Sequence, residues 1–92
     1  GIEAWLGDGR GNWAHRTISS TGDYSTISCA NLNGDGLPDI VTAGNGQGIY
    51  SFINNGGNDW QRREITTKGL YRAVMLRDID GDGLQDVVGC RF

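Results

Sequence analysis

The chain has 92 residues, with eight Lys and Arg against eleven Asp and Glu, for a net charge of −3. That is the length of one small domain, and the acidic balance without a basic stripe argues against a nucleic-acid partner. No apolar run approaches the ~20 residues of a membrane span. Sixteen glycines, one proline and few helix formers fit short strands joined by tight turns. A chain this short buries a modest share of its surface, so a staple is expected, and two cysteines offer less than the acidic loops do. The sequence opens at Gly1 in mid-repeat and reads as processed, excised or designed.

Taken in chain order, Ile2–Leu6 reads as a strand, followed by a Gly/Asn/Asp turn over Gly7–Asn12 and a second strand over Trp13–Ile18. Tyr24–Ala30 is a third strand. It runs into the acidic, glycine-punctuated loop Asn31-Leu-Asn-Gly-Asp-Gly-Leu-Pro-Asp39, and Ile40–Ala43 leaves it. Gly44-Asn-Gly-Gln-Gly48 lacks the Lys-Ser/Thr ending and following helix of a phosphate loop, so it is a turn. The pattern then recurs: Ile49–Ile53, a turn over Asn54–Asp59, Trp60–Ile65, Tyr71–Arg77, the loop Asp78-Ile-Asp-Gly-Asp-Gly-Leu-Gln-Asp86, and Val87–Cys90. No stretch sustains a 3.6-residue apolar period, so almost no helix is expected.

The recurrence is a repeat of 47 residues. Residues 1–45 fall on 48–92 without a gap, and 14 of the 45 pairs are identical, among them Trp13/Trp60, Tyr24/Tyr71, Asp35/Asp82 and Asp39/Asp86. The chain is therefore one segment over 1–92, with repeat 1 at 1–47 and repeat 2 at 48–92. Several strands are apolar on both faces (Ile40 opposes Val41, and Val87 opposes Val88), so they need neighbours on both sides. Radially stacked β-propeller blades, each a four-stranded antiparallel meander, provide them at about this repeat length. A two-sheet sandwich would explain the strands but not the period. If the strand that leads into an acidic loop opens each blade, the chain comprises a half blade, a whole blade and a half blade. The trailing half of one molecule then complements the leading half of the next. Such a head-to-tail contact closes into a ring of six or eight blades or runs on as a filament. The alternative is a segment of a longer propeller.

Side chains at alternate loop positions converge when the backbone curls, and calcium takes six to eight oxygens. The candidate ligands are Asp78, Asp80, Asp82, Asp86 and the Leu84 carbonyl in the second loop, and Asn31, Asn33, Asp35, Asp39 and the Leu37 carbonyl in the first. Leu37 and Leu84 are expected to tuck their side chains into the core. An EF-hand shares the D-x-D-x-D-G opening but needs Glu at position 12, where Thr42 and Gly89 stand, and flanking helices. The second loop, with four carboxylates against two, is expected to bind calcium more tightly.

These loops, together with the Gly-Ile-x-x-(Trp/Phe)-(Leu/Ile) strand and the Asn-Asn-Gly-Gly or Gly-Asp-Gly turn, resemble the FG-GAP/VCBS repeats of integrin-like β-propellers. The likeness covers essentially the whole chain. It departs from the family pattern at Asn31 and Asn33, which replace acids, and in having two repeats where about seven blades are usual. It implies Ca2+ in the loops, an extracellular or secreted setting, and adhesion, ligand binding or scaffolding, with carbohydrate or protein as ligand. A lectin with sugars between blades and a propeller piece of a larger secreted protein or enzyme are the alternatives.

The other conspicuous side chains read as structural. Trp13 and Trp60 are expected to pack blade to blade, with Trp5, Tyr50 and Phe52 as further aromatics for a sugar. Arg16 and Arg63 are expected to cover an aromatic or pair with a carboxylate. His15, the one histidine, reads as an exposed strand residue. Cys29 and Cys90 read as small core residues on different blades. No nucleophile–base pair stands out, and the chain is read as a non-enzyme that binds further copies of itself.

Overall fold

In the computed structural model the described residues are 1–44 and 46–91. Asn45, in the expected Gly44–Gly48 turn, lies outside them, as does Phe92. Eight antiparallel strands follow one another: β1 (Ile2–Gly7), β2 (Trp13–Ser19), β3 (Tyr24–Ala30), β4 (Asp39–Gly44), β5 (Ile49–Asn54), β6 (Trp60–Thr66), β7 (Tyr71–Arg77) and β8 (Asp86–Arg91). Every expected strand is present, within a residue or so at each end. The described residues contain no helix, so none is long and apolar enough to cross a membrane.

The strands divide into sheets of two, four and two: β1-β2, β3-β4-β5-β6 and β7-β8. This is the expected half blade, whole blade and half blade, and the blades do not close into a ring within the chain. The repeat extends to irregularities that no residue type announces. Register shifts fall at Ile2/Glu3 and Ile49/Tyr50, and at Tyr24/Thr26 and Tyr71/Ala73, each pair one period apart. Bulges increase local twist, so the same curvature is written into each copy.

The whole blade is packed on both faces. From Asp39 to Ala43, β4 is buried at every position. On one face Val41, Ala43 and Ile49 form a core with Val74, joined by Tyr71, Leu76 and Val87 of the trailing half blade. On the other, Ile40 and Phe52 pack with Ile2, flanked by Ile18, Tyr24 and Trp60. Full burial of one such side chain stabilises by about 1.5–3 kcal/mol, so the two flanking hairpins hold the centre. Tyr24 has the structural place expected of it, edge-on to Phe52 with centroids 5.8 Å apart.

The half blades lack that cover, and three expectations change, on the half blades and on the whole blade's outer strands β3 and β6. Trp60 packs against the core, but its counterpart Trp13 is 67% exposed. The Trp13 ring lies instead across Gly7 on the paired strand, where a Cβ would come within 2.9 Å of it. Cys29 and Cys90 are free and exposed rather than core residues. Their counterparts Leu76 and Ala43 lie where two blades meet, whereas Cys29 lines an open cavity between the leading half blade and the whole blade and Cys90 lies on the trailing half blade. Arg16 and Arg63 cover no aromatic. Arg16 donates to the His15 carbonyl at 3.1 Å, and Arg63 to Gln61 Oε1 at 3.3 Å. The arginine over an aromatic is Arg62, 4.3 Å above the Tyr50 ring. One period earlier the same cross-strand diagonal joins His15, an exposed strand residue as expected, to Glu3 at 3.0 Å.

Candidate metal centre

Each acidic loop is folded by its own side chains. At position 1, Gly34 N–H donates to Asn31 Oδ1 at 3.0 Å, and Gly81 N–H to Asp78 Oδ1 at 2.9 Å. At position 3, Asp35 N–H donates to Asn33 Oδ1 at 3.3 Å, and Asp82 N–H to Asp80 Oδ1 at 3.2 Å. At position 5, Leu37 N–H reaches Asp35 Oδ1 and Leu84 N–H reaches Asp82 Oδ1, both at 2.9 Å. At position 9, Leu32 N–H reaches Asp39 Oδ2 and Ile79 N–H reaches Asp86 Oδ2, both at 2.8 Å. The turns between these bonds need left-handed backbone. Gly34 and Gly36 have φ of 77° and 83°, and Gly81 and Gly83 have 76° and 86°. A Cβ at any of the four would meet nothing within 4 Å, so glycine is required there by φ and not by space.

The second loop gathers charge. One ligand atom from each of Asp78, Asp80, Asp82 and Asp86 lies within 4.8 Å of every other. The donors that reach these carboxylates are backbone amides. Asp78 alone takes three, from Gly81, from Asp82 at 3.1 Å and from Gly83 at 2.7 Å. Its carboxyl is held below the ordinary 3.8, chiefly by the Gly83 N–H. Carboxylates this close repel one another when charged. An all-oxygen set of this kind is what hard divalent cations take, and the loop fits one. The β-strands on either side, with Gly89 at position 12, set it apart from an EF-hand.

The first loop has the same frame with two carboxylates, Asp35 and Asp39. Asp39 does something the sequence reading missed. It is wholly buried, and while Oδ2 holds Leu32, Oδ1 accepts the Asn54 N–H at 2.8 Å. One carboxylate therefore ties the loop to the following hairpin. A hint was available in the acid at the head of an otherwise apolar strand. The Leu37 side chain is partly buried and lies over Gly56 of the β5–β6 turn, but Leu84 is 66% exposed, against the expectation that both leucines tuck inward. Among the described residues no turn after β8 covers Leu84 as the β5–β6 turn covers Leu37.

A family model described as an FG-GAP-like repeat matches residues 31–89, from the first residue of the first acidic loop to Gly89 in β8. The chain belongs to the FG-GAP-like repeat family. The match takes in both acidic loops and the strands β4 to β7 between them. No curated protein and no solved structure matches the chain.

Proposed function

We propose that this FG-GAP-like chain is a calcium-stapled β-propeller unit, extracellular or secreted, that serves in binding, adhesion or scaffolding and assembles head-to-tail with further copies of itself. The observation that carries the reading is the Asp78, Asp80, Asp82 and Asp86 cluster, four carboxylates converging within 4.8 Å in a loop whose frame recurs one period earlier. A bound Ca2+ would be held by those four carboxylates and the Leu84 carbonyl. At the first loop it would be held by Asn31, Asn33, Asp35, Asp39 and the Leu37 carbonyl. The ion supplies charge neutralisation and a cross-link between strands, and no catalysis is part of the reading. Weak calcium sites fill only where calcium is near millimolar, which supports the placement outside the cell. The sheet division of two, four and two supports assembly.

The test is calorimetric titration with calcium, together with thermal melts in calcium and in chelator. A ligand that binds only the folded state stabilises it by about 2.7 kcal/mol at 100 times Kd. For a domain of this size that corresponds to a melting shift on the order of 10 °C or more. A melting temperature indifferent to chelator defeats the staple.

A second reading, glycan binding between blades, is favoured by one cavity of about 430 Å³ between the leading half blade and the whole blade. Trp60 offers an aromatic face there, with Arg16, Asn54 and Asn58 as hydrogen-bonding groups. Binding on a glycan array that is lost in Trp60→Ala would favour it over the scaffold reading.

A further inference from the structure

The seam inside the whole blade specifies a seam between molecules. There, hairpin β3–β4 is joined to hairpin β5–β6 through β4 and β5, with Ile40 opposite Phe52, Val41 opposite Ser51, Thr42 opposite Tyr50 and Ala43 opposite Ile49. Hairpin β7–β8 is β3–β4 one period later, and β1–β2 is β5–β6 one period earlier. The two hairpins pack on opposite faces of the whole blade, and among the described residues β8 pairs with β7 alone.

We propose that β1 of a second copy pairs with β8, and that the second copy completes the Asp78–Asp86 loop. This rests on the head-to-tail reading above and deepens it to a register. Moved by 47 residues, the internal seam places Val87 opposite Trp5, Val88 opposite Ala4, Gly89 opposite Glu3 and Cys90 opposite Ile2 of the neighbour. The Asn54 N–H that holds Asp39 Oδ1 becomes the neighbour's Gly7 N–H, aimed at Asp86 Oδ1. Among the described residues, the Asp86 carboxylate accepts only at Oδ2, from Ile79. The β1–β2 turn of the neighbour likewise takes the place of the turn that covers Leu37, and so covers Leu84.

What is exposed on the half blades and on β3 supports this occupant. Trp5 is 57% exposed where its counterpart Phe52 is 3% exposed, and Ile27 is 51% exposed where Val74 is 7% exposed. Cys90 stands exposed where Ala43 is fully buried. Each of these side chains has its cover written elsewhere in the same sequence. In the assembled pair, Val88 and Cys90 take the places of Val41 and Ala43, and the neighbour's Ile27 and Cys29 take those of Val74 and Leu76. Both cysteines are then covered. Because Asp86 belongs to the acidic loop and to the seam, calcium binding and assembly favour each other reciprocally.

The experiment begins with sedimentation of the full chain over a range of concentrations, in calcium. Thiol labelling of wild-type protein is followed at Cys29 and Cys90 by mass over the same range. Both rates should fall at least tenfold as the protein assembles. In a Cys29→Ser/Cys90→Ser background, Ala4→Cys with Val88→Cys should cross-link between chains on mild oxidation. Leu6→Cys with Val88→Cys, two residues out of register, should cross-link far less. Protein that assembles while both thiols stay open, or that cross-links equally in both registers, overturns this proposal alone. Protein that sediments as a monomer at every concentration fails the head-to-tail reading and this proposal with it.

Discussion

The two acidic loops share a frame and differ in charge and in closure. Four hydrogen bonds recur at positions 1, 3, 5 and 9, and where the first loop uses Asn31 and Asn33 the second uses Asp78 and Asp80 with nearly the same distances. An amide oxygen is therefore enough to fold this loop. The added carboxylates bring mutual repulsion, relieved in part by two further amides on Asp78. Carboxylates that the turn does not need and that crowd within 4.8 Å are the ground for the calcium proposal. Closure differs as well: Asp39 is tied to its own loop and to the next hairpin, and Asp86 to its loop alone.

The largest expected effect breaks that second difference. Asp39→Ala removes the acceptor for two partly buried amides, those of Leu32 and Asn54. With hydrogen bonds to charged groups worth roughly 1.5–3 kcal/mol each, the loss is about 3–6 kcal/mol. Asp86→Ala, in protein dilute enough to be monomeric and in chelator, should cost no more than about half of that. Urea denaturation midpoints of the two variants measure the difference, and equal losses would show that closure by the following hairpin is not what Asp39 contributes.

Charge comes next. Asp80→Asn leaves an oxygen for the Asp82 amide and removes one negative charge, so calcium affinity at the second loop should fall by about tenfold, or ~1.4 kcal/mol. The converse, Asn33→Asp, should raise affinity at the first loop by a similar factor. Calorimetric titration resolves both, and unchanged affinities would defeat the charge argument while leaving the frame intact.

Much of this was legible because it depends on local chemistry. β-branched and aromatic runs mark the strands, paired glycines mark the left-handed turns, and an unbroken 47-residue period turns one blade into a template for its neighbours. Burial was less legible. Leu37 and Leu84 are the same residue at the same loop position, yet a turn 19 residues after Leu37 covers it and no described turn covers Leu84. The double role of Asp39 depends on Asn54, 15 residues on, and nothing local announces it. The misplaced cysteines and Trp13 have the same cause: burial in a repeat array belongs to the next unit, which a single copy cannot supply.

A smaller effect separates hairpin β1–β2 from hairpin β5–β6. Arg62 lies over Tyr50, while His15 meets Glu3 on the same diagonal one period earlier. A cation over an aromatic face is worth about 0.5–1 kcal/mol at an exposed site, whereas a half-exposed ion pair contributes from nothing to about 1 kcal/mol and is screened by salt. Arg62→Ala should therefore lower the denaturation midpoint at low and high salt alike, and His15→Ala should do little once salt is raised.

The smallest effect is in acid, and it returns to position 1 of the loops. The Asp78 carboxyl lies below 3.8, chiefly because the Gly83 N–H favours its ionised form. A group whose pKa is lower folded than unfolded stabilises the fold in full above the unfolded value, and that share is lost as pH falls through the folded value. The contribution is therefore complete above pH 3.8 and disappears below it. In chelator, melting temperature should drop less on acidification below pH 3.8 for Asp78→Asn than for wild type. Asn31→Asp should add the corresponding acid sensitivity to the first loop. If Asp78→Asn and wild type lose stability in parallel, the amides around position 1 fold the turn without favouring its charge, and position 1 then acts alike in the two loops.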